Sequence, residues 1–201
     1  MLIDALPVQL RGNACARAIL RLGGWRVAFG GLPAKQGVAI VYPHTSSWDF
    51  VVGILAKWAI GIPVTFWGKD RLFRIPVFGW WLRRLGGVPV NRESPHGVVG
   101  QMAKALVAAR EQDRFLWLAL SPEGTRRRTA GWRSGFYHVA LQARVPLALV
   151  CLDYPGKVVG VDRFLLLSGD RDADMAAIDR ELCHHCGRRP ERAAPIRLET
   201  E

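Results

Sequence analysis

Hydrophobic and polar positions alternate along the chain in a way that predicts short strands separated by helices. The strand-like runs are rich in β-branched and aromatic residues and end at glycine, proline or polar residues. They lie at residues 38–42, 64–67, 88–91, 115–120 and 146–152, with one or two more at 158–167. Segments with helical spacing lie at residues 48–59, 98–112, 135–143 and 173–183. This order predicts one α/β domain with a mixed, mostly parallel sheet flanked by helices.

The first part of the chain has a different pattern. The apolar residues that recur at helical spacing within residues 8–29 are Cys15, Ala18, Ile19, Leu22 and Trp25. Arginines lie between them, so the segment is predicted to be a basic amphipathic helix. It could lie at the boundary of lipid headgroups or pack on the domain with its arginines in water. We assign residues 1–34 to this N-terminal helix region and residues 35–201 to the main domain.

The charge of the chain indicates an anionic partner. Its 28 Lys and Arg against 17 Asp and Glu give a net charge of +11, which attracts phosphates, anionic lipids or acidic proteins. The sequence has no zinc-finger spacing, RNP-type strand or basic helix with heptads, so nucleic acid is not expected. The eight Trp and eight Phe favour a lipid interface. We therefore expect an anionic membrane surface as a partner.

The sequence also lacks targeting and spanning segments. No uninterrupted apolar run reaches the roughly 20 residues of a transmembrane helix, and the first residues do not resemble a signal peptide. We expect a peripheral protein on the cytoplasmic side of the membrane. The run Cys183-His184-His185-Cys186 has no second ligand pair elsewhere and cannot easily aim four ligands at one zinc ion. It is interpreted as a structural or solvated tail, and no metal is expected.

Two polar side chains lie where a predicted strand passes into a helix. His44 follows the strand at 38–42, and Asp49 lies at the start of the helix at 48–59. On one ideal helix their spacing would place them about 140° apart, so a turn that runs into the helix start must bring them together. Asp49 would then hold one imidazole nitrogen so that the other can accept a proton. An ordinary loop histidine and a helix-start acid would show the same spacing.

A second polar motif follows the predicted strand at 115–120. Gly124 allows a close backbone approach, Thr125 supplies a hydroxyl, and Arg126 is a fork-shaped donor suited to phosphate oxygens. Both motifs come after strands, which is where ligands bind in open α/β sheets.

Four blocks of sequence, in order, resemble the glycerophosphate and lysophospholipid acyltransferase family over about residues 36–160. The blocks are His44-Thr45-Ser46-Ser47-Trp48-Asp49, Gly68-Lys69-Asp70-Arg71-Leu72-Phe73 with Gly86-Gly87-Val88-Pro89-Val90-Asn91-Arg92, Pro122-Glu123-Gly124-Thr125-Arg126, and Val145-Pro146-Leu147. The first matches the family's H-x4-D motif. Pro43 and Asn91 depart from the family pattern, which usually has Asn and Asp at these positions.

The resemblance implies a glycerol-3-phosphate acyltransferase-like fold and transfer of a fatty acyl group from acyl-ACP or acyl-CoA to a lysophospholipid hydroxyl. The expected acceptor is 1-acyl-sn-glycerol-3-phosphate, which gives phosphatidate. His44 would be the general base, and Asp49 would stabilise the imidazolium. Direct attack without an acyl-enzyme is favoured because the sequence contains no G-x-S-x-G nucleophile elbow. No cofactor is needed beyond the thioester substrate.

The family motifs also imply a set of substrate-binding residues. They are Lys69, Arg92, Glu123, Gly124, Thr125 and Arg126. Arg92 and Arg126 would anchor the acceptor phosphate, and Lys69 has family support alone. Glu123 would orient an arginine or an acceptor hydroxyl, because a carboxylate does not bind phosphate directly.

Other functions remain open. One is O-acylation of another lyso-lipid, such as an amino-acid lipid or a glycolipid precursor. Another is a catalytically silent protein that binds acyl carrier protein or an anionic membrane. The apolar segment at 73–82, flanked by arginines, could form an acyl-chain track or a membrane face, and part of it must belong to the core.

Overall fold

A computed structural model describes residues 1–90 and 95–199 of the chain; side chains are not described for Lys69, Val90, Pro95 and His96. The strands are β1 (Arg26–Phe29), β2 (Gln36–Tyr42), β3 (Val64–Lys69), β4 (Gly87–Val90), β5 (Leu116–Leu120), β6 (Leu147–Asp153) and β7 (Val158–Leu165). The helices are α1 (Ala14–Leu22), α2 (Trp48–Ile60), α3 (Asp70–Phe73), α4 (Pro76–Arg84), α5 (Pro95–Glu111), α6 (Gly135–Ala143) and α7 (Arg171–Leu182), followed by a 3-10 turn at Pro190–Arg192.

The strands form one sheet in the order β1-β7-β6-β2-β5-β3-β4. β2 pairs in parallel with both β5 and β6, and β3 pairs in parallel with β4 and β5. β7 runs antiparallel to β6 and parallel to β1. The predicted mixed, mostly parallel sheet flanked by helices is confirmed.

Helices cover both faces of the sheet and bury β2 at its centre. Val38 and Ile40 pack into an apolar cluster with residues of α5, α6 and α7. Ala39 points to the opposite face and packs with residues of α1 and α2. A strand buried on both faces cannot shift register cheaply, so the position of the residues that follow it is fixed.

The N-terminal amphipathic helix is present but shorter than the predicted 8–29. The side chain of Asn13 caps α1 by accepting a hydrogen bond of 3.1 Å from the Ala16 N–H. The helix ends before Gly24, whose φ of +80° is a left-handed conformation that glycine adopts without strain. The following residues pair with β7 as β1, and α1 packs against α2.

Other boundaries differ from the sequence expectation by a few residues. The segment at 158–167 is the single strand β7, which returns antiparallel beside β6 after a tight turn. Most of the apolar segment at 73–82 is helical: Phe73 ends α3, and residues 76–82 belong to α4. Part of the predicted strand at 88–91 is β4, and Asn91 lies outside the described residues. Among the residues that are described, no helix has both the length and the apolar character that crossing a bilayer requires.

Candidate active site

Three neighbouring parallel strands end at the candidate site. His44 follows β2, Glu123 follows β5 and Tyr154 directly follows β6. Because β5, β2 and β6 are adjacent and parallel, their carboxyl ends meet at one edge of the sheet. Residues far apart in the sequence are therefore brought together around the start of α2.

His44 and Asp49 lie in contact on the turn that leads from β2 into α2. The Nδ1 atom of His44 is 3.3 Å from the Oδ2 atom of Asp49. The imidazole is 26% exposed, whereas the Asp49 side chain is 1% exposed. The pair thus combines a buried carboxylate with a histidine that an incoming molecule can reach, which is the arrangement required of a general base and its supporting acid.

Asp49 is held by donors on both of its oxygens. Oδ2 accepts hydrogen bonds of 2.7 Å from the backbone N–H groups of Thr45 and Ser46, and Oδ1 accepts one of 2.6 Å from the Tyr154 hydroxyl. Burial acts to raise the pKa of Asp49, but hydrogen bonds from His44, Tyr154 and Ser46 outweigh it and hold the pKa below the ordinary 3.8. Asp49 is therefore ionised at neutral pH and can stabilise a protonated imidazole.

Glu123 holds the backbone of the His44 turn in place. Its Oε2 accepts a hydrogen bond of 2.6 Å from the backbone N–H of His44, and its Oε1 accepts one of 2.9 Å from the backbone N–H of Ala194. The sequence motif predicts instead that Glu123 orients an arginine or an acceptor hydroxyl. The contacts of Glu123 differ from this expectation, because the residue is 1% exposed and both of its oxygens accept hydrogen bonds from backbone N–H groups. Burial raises its pKa to about 7, against the lowering effect of these two hydrogen bonds.

The rest of the motif at 122–126 brings a cation to the same turn. The Arg126 guanidinium donates a hydrogen bond to the Ser47 hydroxyl, one residue before α2. Gly124 has a φ of +65°, and a Cβ atom there would lie 3.0 Å from Arg133 Nε. The Thr125 hydroxyl accepts a hydrogen bond of 3.4 Å from the Arg127 N–H, so it faces its own loop. Arg126 is the residue of this group that reaches the His44 turn.

Two predicted substrate-binding residues, Arg92 and Lys69, lie wholly or in part outside the described part of the structure. Arg92 lies outside the described residues. Lys69 is the last residue of β3, and β3 runs parallel to β5, so its backbone lies at the same edge of the sheet as the site. Its side chain is likewise outside the described part of the structure.

Tyr154 is a site residue that the sequence motifs do not reveal. It follows the strand predicted at 146–152, but nothing in the sequence shows that this strand lies beside the one at 38–42. Knowledge of the strand order would have identified it, because the residue after β6 must lie next to the turn after β2.

The C-terminal segment also contributes to the site. The Arg189 N–H donates a hydrogen bond of 3.2 Å to the hydroxyl oxygen of Thr45, which is buried. The Arg188 guanidinium lies 5.5 Å from the centre of the Trp48 ring, at the start of α2. The Cys186 N–H donates a hydrogen bond of 3.0 Å to Asp153 Oδ1. Within residues 1–90 and 95–199, no cluster of three or more His, Cys, Asp or Glu is placed to hold a metal ion.

The fold and the site together define an α/β protein whose His–Asp pair lies at the carboxyl edge of a mostly parallel sheet, beside an arginine. The sequence model of the family described as Acyltransferase matches residues 26–153. This match covers more than half of the chain and includes both motifs. The chain belongs to the acyltransferase family.

Curated relatives support the same family. The chain is 28% identical over 125 residues to the 1-acyl-sn-glycerol-3-phosphate acyltransferase of Escherichia coli (strain K12), a match that covers 60% of this chain and 48% of the relative. It is 28% identical over 126 residues to the enzyme of that name from Streptococcus pneumoniae, covering 63% of this chain and 45% of the relative. The chain therefore spans about half the length of the curated relatives it matches.

A solved structure shares the fold. The crystal structure of the 1-acyl-sn-glycerophosphate (LPA) acyltransferase PlsC from Thermotoga maritima matches with a TM-score of 0.53 and 18% identity. The match covers 83% of this chain and 73% of that chain. The predicted acyltransferase-like fold is thereby confirmed.

Proposed function

We propose that the protein transfers a fatty acyl group from a thioester to the hydroxyl of a lysophospholipid, with 1-acyl-sn-glycerol-3-phosphate as the acceptor and phosphatidate as the product. The observation that carries this proposal is the contact of 3.3 Å between His44 Nδ1 and the buried carboxylate of Asp49. The choice of acceptor is supported by the curated relatives, which are 1-acyl-sn-glycerol-3-phosphate acyltransferases.

In this mechanism His44 is the general base. Its Nδ1–H faces Asp49, so its Nε2 accepts the proton of the acceptor hydroxyl as that oxygen attacks the thioester carbonyl. The C–O bond forms, the tetrahedral intermediate collapses, and the C–S bond breaks. The thiolate leaves and takes the proton from the imidazolium, which Asp49 stabilises in the meantime. The step needs no acyl-enzyme.

Arg126 would bind the acceptor phosphate beside this base. A guanidinium can form two parallel hydrogen bonds with a phosphate, and Arg126 is exposed next to Ser47 on the His44 turn. Arg92 would assist, on the evidence of the family motif. Holding the phosphate places the acceptor hydroxyl near His44, and such positioning can lower the barrier by several kcal/mol.

The thioester donor is acyl-ACP or acyl-CoA, and both carry negative charge. The net charge of +11 favours the approach of either donor.

Helix α4 would contact the membrane that holds the acceptor. Val77 is 81% exposed and Trp80 is 62% exposed, whereas Phe73 and Leu82 from the same apolar segment are buried. The flanking arginines Arg71, Arg74, Arg83 and Arg84 are exposed. Exposed apolar side chains among basic ones suit an anionic lipid surface. Phe50 of α2 packs against Trp81 at 6.1 Å between ring centres, which links this face to the helix that carries Asp49.

The proposed function is tested by following thiol release and product mass with a panel of acceptors. The panel contains 1-acyl-sn-glycerol-3-phosphate, lyso-amino-acid lipids and glycolipid precursors, each with acyl-CoA and with acyl-ACP. We expect phosphatidate, and a loss of about 1,000-fold in His44→Ala. The exposed His184, which contacts Cys183, provides the control variant His184→Ala with unchanged activity.

Three results would overturn the proposal or a part of it. Transfer to phosphate-free acceptors alone would replace the acceptor class, and no transfer to any acceptor would favour a silent binding protein. Full activity of His44→Ala would remove the base from the mechanism.

A further inference from the structure

We infer that Tyr154 is a positioning residue for the His44–Asp49 pair. Its hydroxyl holds one oxygen of Asp49 so that the carboxylate presents the other oxygen to the imidazole. The inference deepens the proposed function and rests on the role of His44 as the base.

The first support is the contact itself. The Tyr154 hydroxyl donates to Asp49 Oδ1 over 2.6 Å, a length typical of a hydrogen bond to an ionised carboxylate. The Asp49 side chain is buried, so water has little access to it. If this donor is lost, a buried charged oxygen loses a strong partner.

The second support is the division of donors between the two oxygens of Asp49. Oδ2 receives the backbone N–H groups of Thr45 and Ser46 and faces His44 Nδ1. The last side-chain torsion of an aspartate has a broad range of allowed angles, so donors on one oxygen alone leave the plane of the carboxylate loosely defined. The Tyr154 hydroxyl on Oδ1 fixes that plane and therefore the direction in which Oδ2 meets the imidazole.

The ring and the backbone of Tyr154 are each held in place by a contact. The Trp25 ring packs edge-on against the Tyr154 ring, with ring centres 4.9 Å apart and planes at 88°. The backbone N–H of Tyr154 donates a hydrogen bond of 2.9 Å to the carbonyl of Cys186. With the ring and the backbone both fixed, the hydroxyl points at Asp49 without a large loss of side-chain entropy.

Tyr154 keeps its proton under assay conditions. Burial raises its pKa well above the ordinary 10.0, and the hydrogen bond and negative charge of Asp49 raise it further, against a smaller lowering by Arg188. The hydroxyl therefore acts as a donor to Asp49 and not as a second base.

The chain contains a matched pair away from the site. The Tyr137 hydroxyl donates a hydrogen bond of 2.9 Å to Asp174 Oδ2, and both residues are buried. Asp174 also accepts a hydrogen bond of 2.9 Å from the Ser168 N–H near the start of α7. The same chemical deletion can thus be made once at the active site and once in a structural network.

The experiment compares Tyr154→Phe with Tyr137→Phe by measuring kcat, KM and the pH profile of kcat/KM. In Tyr154→Phe we expect kcat to fall about 10-fold with KM unchanged, because the ring does not bind substrate. The acid limb reports protonation of the coupled His44–Asp49 pair. Loss of the donor leaves the Asp49 carboxylate less stabilised and raises the proton affinity of the pair, so the acid limb moves up by about one pH unit. Tyr137→Phe is expected to lower the unfolding temperature and leave kcat and the profile as in the wild type.

A second variant keeps the test decisive if Tyr154→Phe folds poorly. Replacing Tyr154 with difluorotyrosine preserves the ring and strengthens the donor, so the acid limb is expected to move to lower pH. The inference is overturned if the active wild type and a folded Tyr154→Phe share the same kcat and pH profile, or if difluorotyrosine leaves the profile in place. An inactive wild type would instead overturn the proposed function.

Discussion

The Oε2 atom of Glu123 accepts a hydrogen bond of 2.6 Å from the backbone N–H of His44, a residue 79 positions earlier in the chain. The bond joins the loop after β5 to the turn after β2. The other carboxylate oxygen of Glu123, Oε1, accepts a hydrogen bond from the Ala194 N–H, so one buried carboxylate connects three separate segments at the site. The position of the His44 turn therefore depends on a side chain that does not face the substrate.

Glu123 should make the stability of the protein depend on pH. Its pKa is about 7 in the folded protein against an ordinary 4.5. Between these values the folded state binds the proton and the unfolded state does not, so the free energy of unfolding falls as the pH rises. The contribution of Glu123 to stability is fully present below the pKa of the unfolded state and is lost as the pH rises to the pKa of the folded state. The expected loss between pH 4.5 and 7, measured by urea denaturation, is on the order of 2 kcal/mol.

Glu123→Gln supplies the comparison, because glutamine does not titrate. The difference in unfolding free energy between the wild type and this variant should change across that pH window. A difference that stays constant would show that Glu123 does not carry the predicted shift.

Asp49→Asn should lower kcat by about 1,000-fold. An amide cannot stabilise an imidazolium as a carboxylate does. The NH2 group of asparagine is also a donor, and it would face hydrogen-bond donors where the Asp49 carboxylate now faces four of them. The control is Asp174→Asn, another buried aspartate that accepts backbone and tyrosine hydrogen bonds. Both variants should lose stability in thermal unfolding, and only Asp49→Asn should lose turnover. Equal turnover in the two variants would contradict the assignment.

Arg126→Ala should raise KM for phosphate-bearing acceptors by about 10-fold, with a smaller effect on acceptors that lack phosphate. Its guanidinium reaches Ser47 on the His44 turn, whereas the nearby exposed Arg128 provides a control of equal charge. Steady-state kinetics of Arg126→Ala and Arg128→Ala distinguish an effect of the local Arg126 contact from an effect of the overall positive charge of the surface. Equal increases in KM would mean that only the overall charge matters. Arg92→Ala is expected to show the same selectivity for phosphate-bearing acceptors.

Replacing Val77 and Trp80 with Gln should weaken binding to anionic vesicles about 10-fold or more in a sedimentation assay. These side chains are the most exposed apolar groups of α4, and the neighbouring Arg84 lies over the Trp80 ring at 5.8 Å. Binding should also weaken as salt is raised, because the basic residues act through a screened field. Leu166→Gln is the control, since this exposed leucine follows β7 near the opposite edge of the sheet. Vesicle binding that the α4 changes leave intact would rule out this face.

The sequence predicts the elements around the site well, for reasons that are local. Continuous apolar runs predict β2 and β6, and the expected helix at 135–143 has the bounds of α6. The pairing of His44 with Asp49 also follows from local chain geometry, since the two are five positions apart on one turn. The N-terminal helix is overestimated because its apolar spacing continues into Trp25, which packs in the core beyond the end of the helix.

The sequence by itself determines the fold class, the two motifs and the family resemblance, because short-range periodicity and motif spacing are properties of neighbouring residues. Only the tertiary structure decides that Glu123 supports the His44 turn and that Tyr154 binds Asp49. Both contacts depend on the strand order β6-β2-β5. That order is set by which apolar faces pack together across the whole sheet, so no local pattern of residues encodes it.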